Sequence, residues 1–206
     1  MMMRDSFSPP DTARWRAYLK FMGLFYLFFF PVYFGGGHIA AYSHDTFRLY
    51  WPWEQGIPLI PWMIWPYLSL FTLFLLPLVH LNPEQISALS RQSTATLVLA
   101  GMIFLAVPTQ SGYPPSAVMG LHQPIFGLLA RLDTPHNLAP SLHVAFSALI
   151  LLACAARTSQ GFAWSYRFWL LLLSVSTLLV HQHHLVDVVG GLAIALIMRR
   201  IFPLAS

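Results

Sequence analysis

Apolar residues fall into six long blocks along this chain, at roughly 17–35, 57–79, 94–109, 140–156, 165–181 and 184–202. Blocks so long and so poor in charge predict membrane-spanning helices, which need about 20 mostly apolar residues. The last three are short for that requirement. The first is rich in Phe and Tyr and closes at Gly35-Gly36-Gly37. The second carries Pro58, Pro61, Pro66 and Pro77 and is expected to be kinked, with its freed carbonyls satisfied by neighbours. Pro140 opens the fourth, where the missing N–H has no helical partner to lose.

Polar segments separate the blocks. Residues 1–16 read as a mobile tail, and 38–56 as a connection that sets Trp51 and Trp53 in an interfacial belt. Residues 81–93 read as a turn containing Asn82-Pro83-Glu84. The longest connection is 110–138. Within it, 117–132 predicts an amphipathic helix lying on the membrane and ending at Arg131. No polar block is long enough to fold alone, so one six-helix membrane domain over 17–202 is expected.

Composition supports an all-α integral membrane protein. Charged residues make up 9% of the chain, against about 25% in ordinary soluble domains. The first apolar run lacks a small-residue cleavage site and reads as an anchor. The single Cys154 allows no intramolecular disulfide and reads as a small core residue. Six crossings place both termini on one side. Arg4, Arg14, Arg16, Lys20, Arg91, Arg157, Arg167, Arg199 and Arg200 fall on that side, and only Arg48 and Arg131 on the other. That asymmetry predicts cytoplasmic termini, with 38–56, 110–138 and the 181–184 corner facing outward. The basic residues are scattered at segment ends, which argues against nucleic acid as a partner. Of the histidines, only His80 falls away from the outer face.

Candidate chemistry concentrates at His181-Gln182-His183-His184-Leu185-Val186-Asp187. Ionisable groups at the edge of a bilayer are costly and are functional candidates by default. His183 and Asp187 are four apart, so on one helix they share a face. A carboxylate there can hold one imidazole nitrogen and leave the other free to attack. The predicted topology brings Pro140-Ser141-Leu142-His143 to the same side. The first turn of a helix starting there offers unpaired N–H groups to an anion. A nucleophile, an orienting carboxylate, a second imidazole and an anion cradle are the parts needed for phosphoryl transfer through histidine.

Pro140-Ser141-Leu142-His143, followed by Ser176-Thr177, His183 and Asp187, resembles the second and third motifs of the type 2 phosphatidic acid phosphatase (PAP2) superfamily. The stretches 139–147 and 182–191 look most like the branch that holds bacterial inner-membrane members and the fungal inositol phosphorylceramide synthases. The 57–67 run is similar to a segment of the bacterial members. The resemblance implies a PAP2-like bundle of six helices in a bacterial inner membrane, acting on a lipid phosphate among membrane lipids. It implies His183 as nucleophile, Asp187 as its orienting carboxylate and His143 as the acid for the leaving oxygen. Ser141 and backbone amides around Leu142 would hold phosphate oxygens. The superfamily needs no metal and no cofactor.

The departures concern charge. The first motif carries a Lys and an Arg before a Pro, but the corresponding 107–115 has neither, and Gln110 stands there. The third usually opens Ser-Arg, but here Thr177 follows Ser176. Gln110 and Thr177 are therefore candidate substrate contacts. Arg131, Arg48, His181 and His184 are candidates to supply the missing charge. Hydrolysis of a lipid phosphate ester or diphosphate at the outer face is the leading expectation. Transfer of a phospho-headgroup to a lipid alcohol comes next, then a catalytically inactive lipid-binding protein. A histidine-box metalloenzyme is disfavoured, because the chain offers no second cluster of paired histidines.

Overall fold

A computed structural model describes residues 9–41, 46–114, 118–133 and 136–204. Among them the chain is helical, with no strand and one isolated bridge, between Phe47 and Thr109. Asp11 caps the first helix by accepting the Arg14 N–H at 2.8 Å. Helix α1 (Thr12–Phe29) therefore begins inside the stretch expected to be tail. Nor does it end at the glycines. Pro31 removes a donor from the ladder, and the chain continues through a π-helical stretch, Phe30–Gly35, into α2 (Gly36–Ala41).

The second apolar block is broken where its prolines fall. A 3-10 turn at Pro61–Met63 leads into three short helices, α3 (Ile64–Leu68), α4 (Leu70–Leu73) and α5 (Leu76–His80). Neighbours satisfy the groups freed at the breaks, as expected. The Ile57 carbonyl accepts from His181 at 2.9 Å and the Tyr67 carbonyl from His143 at 2.8 Å.

Residues 83–93 correct the sequence reading. They are not a turn but the first half of α6 (Pro83–Ala106). Asn82 and Gln85 form a reciprocal capping box, with bonds of 2.9 and 3.1 Å, and Pro83 holds the first helical position. Glu84, Ser87 and Arg91 are exposed, but the other face of this half carries polar side chains inward. Gln85, Ser90, Gln92, Ser93 and Thr96 are buried, and Gln92 donates to the Phe202 carbonyl at 2.6 Å.

The rest of the chain supplies α7 (Gln123–Leu132), α8 (Leu142–Ala155), α9 (Gln160–Leu179) and α10 (Leu185–Ile201). Helix α1 packs along α6, and α8 packs against both α9 and α10. The core between them is aromatic near α1, where Phe21, Phe25, Phe74 and Phe146 meet, and aliphatic along α8. Among the described residues, three helices are long and apolar enough to cross a membrane: Thr12–Gly35, Pro83–Ala106 and Gln160–Leu179. At 14 residues, α8 extends only about 21 Å.

Candidate active site

Two helix N-termini meet at the end of the bundle away from the α1 start. Gly191 lets them meet: a Cβ there would collide with the Ser141 carbonyl oxygen. The Ser141 N–H donates to the Asp187 carbonyl at 2.9 Å, stitching the start of α8 to the first turn of α10. Ser141 caps α8 through its hydroxyl, which accepts the Val144 N–H at 3.3 Å, and it is fully buried.

The corner before α10 is set by backbone bonds. The Thr177 carbonyl accepts the N–H groups of Gln182 and His183 at 3.0 and 3.1 Å. His181 adopts a left-handed φ of 59° and donates from Nε2 to the Ile57 carbonyl at 2.9 Å. His184 is the N-cap of α10, and Asp187 folds back to accept its N–H at 2.7 Å. His183 therefore stands just before the helix, not on it. Its Nδ1 nonetheless lies 3.5 Å from Asp187 Oδ2, near contact without a formed hydrogen bond. The pair predicted from helical spacing exists, but the returning N3 carboxylate creates it rather than a shared helical face. Nε2 is the ring nitrogen that this arrangement leaves for chemistry.

His143, second in α8, stacks on the Tyr67 ring with centroids 3.9 Å apart and planes 9° apart. Its Nε2 lies 2.8 Å from the Tyr67 carbonyl. A carbonyl only accepts, so the proton is on Nε2, and Nδ1 is the nitrogen available to exchange one. His143 and His183 are within electrostatic reach of each other.

The two N-termini differ in occupancy. On α10, Glu54 takes the Leu185 N–H at 2.8 Å and Asp187 takes that of His184. On α8, the N–H groups of Leu142 and His143 have no intrahelical acceptor. The α8 terminus is thus the one left to cradle an anion.

Sequence reading missed three contributors. Glu54 is wholly buried on the 3-10 turn Pro52–Gly56. Tyr50 and Tyr113 both stack on His184, at 4.5 and 4.3 Å, and Tyr113 stacks again on His181 at 4.0 Å. The signal for Glu54 was there: an acid in a chain with so few, next to an interfacial Trp pair. His184 accepts the Gly112 N–H on Nε2 at 3.0 Å, so its proton sits on Nδ1, 3.3 Å from Glu54. Burial lowers its pKa from the ordinary 6.5, against the upward pull of Asp187 and Glu54. Burial raises the Tyr113 phenol, and Glu54 and Asp187 add to that.

The other sequence candidates lie elsewhere. Thr177 is fully buried; its hydroxyl donates to the Ser174 carbonyl at 2.8 Å, while its own carbonyl holds the corner before α10. Gln110 is half-buried, its N–H bonded to the Phe47 carbonyl at 3.1 Å. Arg131 is exposed on the last turn of α7, and Arg48 is exposed as well. Among the described residues, no Lys or Arg bonds to His143, His183, His184, Asp187, Ser141 or Glu54. His80 packs α5 to α9 through the Tyr166 hydroxyl at 2.7 Å, and His136 donates to the Thr109 carbonyl at 3.1 Å. His122 sits edge-on to Trp62. His44 and the His38 side chain lie outside the described residues.

Fold and site together define a helical membrane protein with a histidine–carboxylate pair beside an open helix N-terminus. The family model of the PAP2 superfamily matches residues 61–201, so the chain belongs to that superfamily, whose members are typically phosphatases. No curated protein and no solved structure matches the chain.

Proposed function

We propose that the protein is a membrane lipid phosphatase working through a phosphohistidine on His183. The observation that carries this reading is the His183–Asp187 pair, set within reach of His143 and the open α8 terminus. In the first step His183 Nε2 attacks phosphorus. The P–N bond forms as the P–O bond to the lipid breaks, and His143, which the charge of the bound phosphate holds in its protonated form, gives its Nδ1 proton to the leaving oxygen. In the second step water attacks phosphorus, His143 takes a proton from it, and the P–N bond breaks to release phosphate. Asp187 holds the His183 ring and stabilises its positive charge. The Leu142 and His143 N–H groups and the Ser141 hydroxyl hold the phosphate oxygens. Gln110 and Arg131 remain candidates for the outer part of the substrate, while Thr177 acts by fixing the His183 backbone.

The same reading takes α3–α5, α8 and α10 as further crossings beside the three long helices. It places the site at the outer face of a bacterial inner membrane and the termini in the cytoplasm. Basic residues at the opposite end support this orientation, with Arg14 reaching the Leu78 carbonyl there.

A second reading, transfer of a phospho-headgroup to a lipid alcohol, is favoured by neutral Gln110 and Thr177 where the superfamily carries cations. This is the inositol phosphorylceramide synthase type of reaction, in which an alcohol replaces water in the second step.

The test incubates detergent-purified protein with paired monoester, diester and diphosphate lipids, reading free phosphate, new lipids and acid-labile phosphoprotein. Phosphate release and label on the wild type, both absent from His183→Ala, are expected. Undiminished turnover by His183→Ala sinks the assignment. No turnover of any lipid, with substrate bound, points to a lipid-binding protein instead.

A further inference from the structure

We propose that Glu54 is a positioning residue for the His183–Asp187 pair, acting through His184 and the first turn of α10. This rests on the phosphohistidine reading above. Glu54 is wholly buried and lies about 130 residues away in sequence from the helix it caps. An apolar residue would fill the same space without the cost of desolvating a carboxylate. What the carboxylate adds is direction. Oε1 accepts the Trp51 N–H at 2.9 Å and locks its own turn. Oε2 accepts the Leu185 N–H at 2.8 Å and lies 3.3 Å from the His184 Nδ1. His184 is bonded to His183 in the chain, and Leu185 opens the turn that carries Asp187. Asp187 holds the His184 N–H and cannot rotate without breaking that bond, and the backbone that carries the His183 ring is fixed by Thr177 on one side and by His184 on the other.

A column of rings extends the hold. Tyr50 and Tyr113 lie near-parallel to the His184 ring, at 21° and 10°, so they must take its opposite faces. His181 closes the column on the far side of Tyr113. Gly112 is required where it stands, because a Cβ there would run into the Tyr50 ring, and its N–H fixes His184 Nε2. Loops 46–56 and 110–113 are thereby tied to the corner that carries His183.

The test compares Glu54→Gln, which keeps the shape but loses an acceptor oxygen, with Tyr113→Leu, which keeps the carboxylate but breaks the column. Two readouts are taken on detergent-purified protein: kcat and KM per folded molecule, and NMR of isotope-labelled histidine rings. His183 and His184 signals are assigned by their loss in His183→Asn and His184→Asn. Misplacement of about 1 Å costs on the order of 10²-fold in rate. Glu54→Gln is therefore expected to lower kcat about 10²-fold while leaving KM largely unchanged. It should also shift the His183 signals and mix the His184 tautomers. Tyr113→Leu should move both readouts in the same direction by less, and it decides the matter if Glu54→Gln does not fold. A loss of folded yield with kcat per folded molecule unchanged overturns the proposal, as do unmoved His183 signals. Should the wild type turn over no lipid phosphate, the phosphohistidine reading falls by itself, and the histidine spectra still decide whether Glu54 sets the His183 ring.

Discussion

At the scale of single residues, the site is a set of imidazoles whose tautomers are dictated by partners that can only donate or only accept. Tyr67 fixes the proton of His143 on Nε2, and Gly112 fixes that of His184 on Nδ1. Asp187 faces Nδ1 of His183 and so leaves Nε2 as the atom that attacks in the proposed mechanism. Asp187→Asn is expected to lower turnover on the order of 10⁴-fold, as when the carboxylate of a catalytic triad is neutralised. A loss below about tenfold in steady-state assays would remove Asp187 from the mechanism. His184 also gives a stability prediction with a definite sign. Its folded pKa is below the ordinary 6.5, so the folded protein binds this proton less readily than the unfolded chain does. Its contribution is complete above about pH 6.5 and is lost as pH falls through the lowered value. Thermal unfolding in detergent should therefore show a midpoint that drops on acidification below that pH, with a smaller drop in His184→Gln.

At the scale of elements, the decisive contact is the approach of α8 to α10. Gly191 meets the Ser141 backbone, which cannot move without dragging the α8 cradle. Gly190 is less constrained, since its added Cβ would lie 3.3 Å from Pro140 Cβ. Gly191→Ala should destabilise the protein by about 1–3 kcal/mol, the range for overpacking, and should lower kcat as the cradle shifts. Gly190→Ala should be milder in both. Equal effects in unfolding and turnover assays would show that the close approach is not what sets the site. Helix α7 adds support from outside. Its Phe126 packs with Ile64, Tyr67 and Val180, behind both His143 and the 181–184 corner, while Leu121, Leu128 and Leu132 stay exposed along this segment.

At the scale of the whole molecule, charge and polarity divide the two ends. The site end has buried carboxylates and imidazoles, and the opposite end carries the arginines of α1, α6 and α10. A cysteine at exposed Met119 should react with an impermeant maleimide in intact cells, and one at exposed Ser159 should not. The reverse pattern would put the site on the cytoplasmic side and remove outer-leaflet lipids as substrates. Missing cations also bear on substrate charge. A monoester dianion gains most from bidentate arginines, and losing one preorganised donor costs about 10²–10³ in rate. Phosphatidic acid should therefore be a poor substrate beside a diester or diphosphate lipid. A specificity constant strongly favouring the monoester, with Arg131→Ala and Arg48→Ala both harmless, would show that Gln110 and Thr177 carry no information about substrate charge.

The sequence by itself determined which residues are candidates for chemistry and the order of the main helices. Apolar blocks and prolines mark where helices run and break, because hydrophobic burial and backbone hydrogen bonding act locally. His143, His183 and Asp187 are legible because ionisable groups are scarce in so apolar a chain. The start of α6 was not legible by polarity, since Gln85, Ser90 and Gln92 are polar yet buried, with Gln85 closing the cap at Asn82 and Gln92 reaching the Phe202 carbonyl. Only the tertiary structure decided that His183 stands off the helix and that Thr177 turns inward. It alone brought Glu54 to the α10 N-terminus. Those outcomes depend on bonds between segments far apart in the chain, such as Glu54 to Leu185 and Gly112 to His184. Hydropathy and spacing carry no trace of such bonds, because each is set by where two segments meet in space.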